Sequence, residues 1–350
     1  MPADSSSPPH GDRPPRRKRY AGKNPRKFAD KYKEHRGDAE TLQKVEASGK
    51  TPAGRHRPIM VAEVLDALAI QPGETMVDGT LGYGGHTREF LRTGGRVIAL
   101  DMDPLQLPRT TERLRADGFG EEVFTARHSN FAGLPRVLEE LSLSDGVDVF
   151  FADLGLSSMQ IDDPARGFSY KNNGPLDMRL NPSRGLTAAG MLKKLTPAKL
   201  AAILETNADE PHAIPLGEAL AGADFSKTLP LVKAIRAVVE PLHRLRPDAE
   251  AEVEQSVRRV FQALRIAVND EFSALDSLLR SLPGCLRPGA RAAFLTFHSG
   301  EDRRVKKAFL AWEQAGGWHQ PEGQPLRPSA AEQRMNPRSS SARLRWIVRA

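Results

Sequence analysis

Apolar side chains recur at helical spacing over residues 61–70 (VAEVLDALAI), and the pattern stops at Gln71-Pro72-Gly73. The next apolar run, Thr75-Met76-Val77-Asp78, is too short for a helix and closes on a carboxylate. It meets a glycine-rich turn, Gly79-Thr80-Leu81-Gly82-Tyr83-Gly84-Gly85-His86, ahead of a helix predicted over 87–92. RVIAL at 96–100 reads as a second buried strand, again ending on a carboxylate, Asp101. Pro104 opens a helix over 105–116, because its fixed φ suits a first turn. Residues 123–126 form a third predicted strand and 147–152 (VDVFFA) a fourth, which closes on Asp153. Strands alternating with helices predict an α/β fold, a parallel doubly wound sheet with its ligand at the carboxyl ends of the strands.

The later pattern differs. Residues 188–204 and 229–239 are helix-friendly, with little strand character around them. A helix over 258–280 is predicted to lead back to the sheet through a strand at 291–297. A helix containing 305–312 and a last strand at 344–348 follow.

Composition narrows the class. The chain has 350 residues, 39% hydrophobic and 27% charged, an ordinary soluble balance that fits about two domains or one domain with an insertion. No run reaches the roughly 18–20 apolar residues that a membrane span needs. The start, Met1-Pro2-Ala3-Asp4-Ser5, is not followed by an apolar stretch, so no secretory signal is expected. A lone cysteine, Cys285, makes no internal disulfide, and the histidines show no H-E-x-x-H pair; a reducing, cytoplasmic setting without a structural metal is expected.

The net charge of +7 is local in origin. Residues 1–58 carry 15 Lys/Arg and 7 Asp/Glu, a net of +8, while the other 292 residues hold 36 basic and 37 acidic side chains. The segment is Pro/Ser-rich, then basic at Arg16-Arg17-Lys18-Arg19, and too poor in apolar residues for a core. Residues 1–55 therefore read as a disordered basic tail with at most a short helix near 26–47. It serves either as a phosphate-binding arm or as a solubilising extension. A transit peptide fits less well, since seven acidic residues are present.

Candidate chemistry gathers at the strand ends. A glycine turn lets a ligand approach the backbone, because no Cβ intervenes. Asp101 can accept both hydroxyls of a ribose, which suits NAD and S-adenosyl-L-methionine alike. The turn here is G-x-x-G-x-G-G rather than the G-x-G-x-x-G that seats a pyrophosphate on a helix N-terminus. S-adenosylmethionine carries a sulfonium and an amino-acid end, so Asp78 favours it. Phe131 is either an adenine-packing ring or a core aromatic, and Asp153 stands where the reacting atom is expected.

The long segment after Asp153 carries a resemblance. DGTLGYGGH at 78–86, ALDMDP at 99–104, DLGLSSMQIDDPARGFSYKNNGPLDMRL at 153–180, FQALRIAVNDEF at 261–272, FHSGEDRRVK at 297–306 and NPRSSSARLR at 336–345 follow one another in order. With His56-Arg57-Pro58-Ile59 ahead of them, they resemble the bacterial 16S rRNA cytosine-N4 methyltransferase family (RsmH, or MraW) from about residue 56 to 345.

The resemblance implies a class I, Rossmann-like methyltransferase with an inserted all-α domain. The methyltransferase part takes 56–164 and 258–350, and the substrate-recognition insert 165–257. By matched positions it implies that Gly84, Gly85, His86, Asp101, Phe131, Asp153 and Gln160 contact S-adenosylmethionine. Asp153 is also the candidate proton acceptor for the cytosine amine, against the alternative that it only binds the donor. Ser157, Ser158, His298, Glu301 and Asp302 are substrate-lining candidates, with helix capping as the other reading for the segment 298–302. The implied partner is 16S rRNA within the small ribosomal subunit, with no membrane and no metal. A non-catalytic RNA-binding factor and an NAD-linked oxidoreductase are the alternative classes.

The chain departs from the family pattern at four places. Asn207-Ala208-Asp209-Glu210-Pro211-His212-Ala213 stands where most members read Y-G-E-E-R-F-A. Gln255-Ser256-Val257-Arg258-Arg259 replaces H-x-A-[TK]-R, Gly300 replaces the leucine of FHSLED, and Ser340 replaces an arginine of NPRSRS.

Overall fold

The computed structural model describes residues 58–244 and 247–350. The basic tail and its expected helix near 26–47 lie outside the described residues. The first half alternates as its pattern predicts, through α1 (Val61–Leu68), β1 (Thr75–Asp78), α2 (Gly85–Arg92), β2 (Arg96–Asp101) and α3 (Gln106–Ala116). It continues through β3 (Phe124–His128), α4 (Leu134–Glu140), β4 (Val147–Asp153) and the short α5 (Ser158–Asp162). Five helices follow: α6 (Ala188–Lys194), α7 (Pro197–Ala208), α8 (Ala213–Leu220), α9 (Thr228–His243) and α10 (Ala249–Asn269). The chain then runs through α11 (Glu271–Ser281), β5 (Leu286–Thr296), α12 (Ser299–Ala315), β6 (Trp318–His319), α13 (Ala330–Met335) and β7 (Arg343–Arg349).

The seven strands lie in the order β3-β2-β1-β4-β5-β7-β6. The first five are parallel, and β7 returns antiparallel between β5 and β6. Alternate strand residues face opposite layers. Val77, Ile98, Phe150 and Phe294 pack against α4, α11 and α12. Met76, Val97, Phe151 and Leu295 pack against α1, α2 and α3. Phe150 is fully buried, and truncating it to alanine costs about 3–5 kcal/mol on the scale of other core phenylalanines. The strand order reverses between β1 and β4, which opens a ligand crevice at their carboxyl ends, as in other doubly wound sheets.

Three boundaries differ from the sequence expectation. The helix expected over 188–204 is two helices, because Thr196 caps a new one and Pro197 opens it. The helix expected over 258–280 breaks at Asp270, which takes a left-handed φ of 53°. The expected boundary at 257/258 falls inside α10, whose Val253, Val257, Val260, Phe261 and Leu264 all join the core formed by α6 to α9. Sequence periodicity marks a helix but not which core its face enters, so α10 belongs with the helical unit and Asp270 is the turning point.

Candidate active site

The carboxyl ends of β1, β2, β4 and β5 open into one cavity of about 500 Å³. The turn after β1 forms its first wall. Gly84 takes a φ of +69°, and a Cβ there would stand 2.9 Å from the Thr110 methyl of α3. Glycine is required at this position by both backbone and packing. Asp78 is buried and accepts from the Thr87 hydroxyl at 2.5 Å and from the Thr80 amide at 3.0 Å. The Thr80 hydroxyl in turn accepts from the Asp153 amide at 2.7 Å, so it ties the end of β1 to the end of β4.

Asp101 receives one backbone bond on each oxygen, from the Gly82 amide at 2.7 Å and the Asp103 amide at 2.8 Å. Each oxygen keeps a second lone pair, enough for two ribose hydroxyls. Asp103, which the sequence reading passed over, is fully buried. It accepts from Gln160 Nε2 at 3.0 Å and Arg166 Nη1 at 2.8 Å, and it caps the start of α3. It joins the β2 turn to the segment after β4.

Of the expected donor contacts, Gly85, His86, Asp101, Phe131, Asp153 and Gln160 all line the cavity. Gly84 stands behind the wall, against α3. The Gln160 side chain is engaged within the protein: its Oε1 accepts from the Ser157 amide in a capping box, and its Nε2 binds Asp103. Ser157 and Ser158 line the cavity too, although the Ser157 hydroxyl caps α5.

At the β5 end, His298 and Glu301 line the cavity and also cap α12 reciprocally. Asp302 turns away. Its carboxylate binds Arg343 Nη1 at 2.6 Å and Arg345 Nε at 2.7 Å, pinning α12 to β7. Adjacent helix residues point about 100° apart, which turns Asp302 from the cavity toward β7. Arg265, Asn269, Phe272 and Arg338 reach the lining without having been singled out in the sequence. Their signal was their membership of the matched motifs; their distance along the chain from Asp153 concealed it.

The departures from the family pattern lie mostly behind the cavity. Glu210 accepts from Ser256 and His212 Nε2 meets His243 Nε2 at 2.8 Å within the helical unit, while Asp209 accepts from Arg303 of α12 at 2.9 Å. Gly300 is a steric requirement of this chain: a Cβ there would lie 2.6 Å from Cζ of Phe272. Ser340 lines the cavity.

The cavity is electrically unbalanced. Burial pushes Asp78 and Asp101 up to about 6 against the hydrogen bonds that each accepts. Burial, and then the charges of Asp78 and Glu301, push Asp153 up to about 8. Burial also pushes Glu301 up, but His298, Arg265 and the Phe297 amide outweigh it and hold Glu301 below the usual range. His86 is pushed down to about 4 by burial. A wall of destabilised carboxylates fits a cationic ligand and disfavours a pyrophosphate, so the NAD alternative does not match it. S-adenosylmethionine, with a sulfonium, an ammonium and a ribose, fits this lining: Asp101 would take the ribose, and Asp78 and Asp153 would face the cationic side.

Among the described residues no group of three or more His, Cys, Asp or Glu side chains is arranged to hold a metal ion, and no helix is long and apolar enough to cross a membrane.

The chain is 44% identical over 362 residues to "Ribosomal RNA small subunit methyltransferase H 1" of Lachnoclostridium phytofermentans, covering 100% of this chain and 96% of that protein. It is 44% identical over 352 residues to "Ribosomal RNA small subunit methyltransferase H 2" of Alkaliphilus metalliredigens, covering 97% and 99%. The corresponding protein of Myxococcus xanthus is 40% identical over 310 residues, covering 84% and 97%. The model of the MraW methylase family matches residues 53–350, which take in every strand and every cavity wall described above, and the chain belongs to that family.

Proposed function

We propose that this methyltransferase transfers the methyl group of S-adenosylmethionine to N4 of a specific cytosine in the decoding region of 16S rRNA, within the small ribosomal subunit. The observation that carries the reading is Asp153: a carboxylate at the end of the central strand, pushed up to about 8, in the same cavity as the ribose acceptor Asp101. The names of the relatives support an rRNA substrate.

Cytosine N4 is a weak nucleophile, because its lone pair is delocalised into the ring. The bound donor supplies an electrophilic methyl group. Asp153 accepts a proton from N4 as the new bond forms, which returns the lone pair to nitrogen. A carboxylate held near 8 takes up that proton more readily than an ordinary one. Holding the two reactants together contributes on the order of 7–11 kcal/mol. The base must be unstacked to enter the cavity, and the helical unit of α6 to α10 beside it supplies the surface for the folded RNA.

Mass spectrometry of rRNA nucleosides, made with and without the protein, tests this. N4-methylcytidine is expected only with the protein present. Methylation at a ring carbon or a ribose, or none, overturns the reading.

A further inference from the structure

Arg265 lies one turn before the end of α10, and Glu271 opens α11 across the Asp270 break. Nε and Nη2 of Arg265 donate to the two Glu271 oxygens at 2.9 Å and 2.7 Å. This side-on pairing uses one edge of the guanidinium plane. The other edge, formed by Nη1 and the second N–H of Nη2, has no partner among the described residues. Arg265 is only 16% exposed, and it lines the cavity. The guanidinium is half-buried, and with one edge fixed by Glu271 it presents a free, rigid pair of parallel N–H groups at the cavity wall.

The position of that edge along the wall matters. Arg265, Glu301 and Asp153 all line this one cavity, which therefore holds both a cationic hydrogen-bond donor and the candidate proton acceptor. The glycine turn, Asp101 and Phe131 lie at the ends of β1, β2 and β3, whereas Arg265 enters from α10 beside the elements that follow β5. The free edge therefore belongs to the acceptor side. The Watson–Crick edge of cytosine reads acceptor, acceptor, donor, through O2, N3 and N4. A fork of two N–H groups suits O2 and N3 together, which leaves N4 free for Asp153 in the same cavity. Uracil carries a hydrogen on N3 and presents a donor to a donor.

We propose that Arg265 reads the target base, donating from its free edge to O2 and N3 of cytosine, with Glu271 holding the guanidinium plane in place. This rests on the proposed N4 methylation and adds the residue that discriminates cytosine from uracil. Leaving a buried donor facing a donor costs at least about tenfold in affinity.

The test is a competition. Small ribosomal subunits carrying uracil at the methylated position compete with unmodified cytosine subunits for the full-length protein. The wild-type protein is expected to prefer cytosine by about tenfold or more. Arg265→Lys keeps the charge but loses the fork, and it is expected to abolish the preference while S-adenosylmethionine affinity stays within about twofold. If the lysine variant does not fold, Arg265→Gln takes its place. Equal binding of the two subunits by the wild type overturns the proposal, as does a preference unchanged in the variant. Donor affinity that falls in parallel also overturns it and assigns Arg265 to the donor. Absence of N4-methylcytidine from the nucleoside analysis is a failure of the underlying reading instead, and is seen separately.

Discussion

His86 turns an unprotonated Nδ1 toward Asp153. Its Nε2 lies 3.0 Å from the carbonyl of Ile59, which can only accept, so Nε2 carries the ring proton. Nδ1 stands 3.6 Å from Asp153 Oδ2. A lone pair facing a carboxylate gives no stabilisation, but it offers an acceptor once the carboxyl is protonated. The distance is long for a hydrogen bond and has to close slightly for that contact to form. The pair therefore favours the protonated state of Asp153, the state that the proposed proton transfer would leave.

Replacing Asp153 by asparagine keeps the volume and removes the proton acceptor. Turnover is expected to fall at least tenfold more than donor affinity, read by single-turnover kinetics and calorimetry. Parallel losses would make Asp153 a donor-binding residue only.

The pH dependence follows from the same group. The ionised form accepts the proton, so kcat/KM rises with pH through the free-enzyme value of about 8. Donor cation beside Asp153 favours the ionised form, so the corresponding limb of kcat lies at lower pH. A pH profile of both parameters checks the order of the two limbs; the reverse order removes Asp153 as the titrating group.

Stability carries the opposite sign. A carboxyl whose folded value is raised stabilises the fold fully below its unfolded value near 3.8, and that contribution is lost as pH rises through about 8. The stability of Asp153→Asn relative to the wild type is therefore expected to grow between pH 5 and 8 and level off above it. Denaturant titrations of the ligand-free proteins measure this. A difference independent of pH would show that Asp153 does not titrate in that window.

Asp101→Ala removes the proposed ribose acceptor together with the two backbone bonds that shape the turn. Donor affinity is expected to drop at least tenfold, since each charge-assisted bond contributes about 1.5–3 kcal/mol. Circular dichroism should show the fold retained, with a lower Tm. An unchanged dissociation constant would take Asp101 out of the donor site.

Asp302→Ala has the complementary profile. It strands Arg345, which is 8% exposed, and costs about 3–5 kcal/mol of stability. Donor affinity per folded molecule is expected to stay unchanged. A selective loss of affinity would return Asp302 to the cavity wall.

Much of this protein is determined locally. Short apolar runs closing on Asp78, Asp101 and Asp153, each followed by a turn or loop, specify parallel strands and place three carboxylates at the carboxyl end of one sheet. Strand identity depends on residues a few positions apart, and those are adjacent in the sequence. The motif resemblance extended this to the family and to most of the cavity wall. What tertiary structure alone decided concerns direction and partnership. Glu301 and Asp302 are neighbours in the chain, yet one caps α12 at the cavity and the other is drawn away by Arg343 and Arg345 from β7, about forty residues on. Helical periodicity marked α10, but only packing showed that its apolar face completes the helical core, so that Arg265 reaches the cavity with one edge tied to Glu271 and the other free. A side chain's direction on a helical turn, and the charges that meet it, depend on residues brought together by folding, and sequence spacing does not encode them.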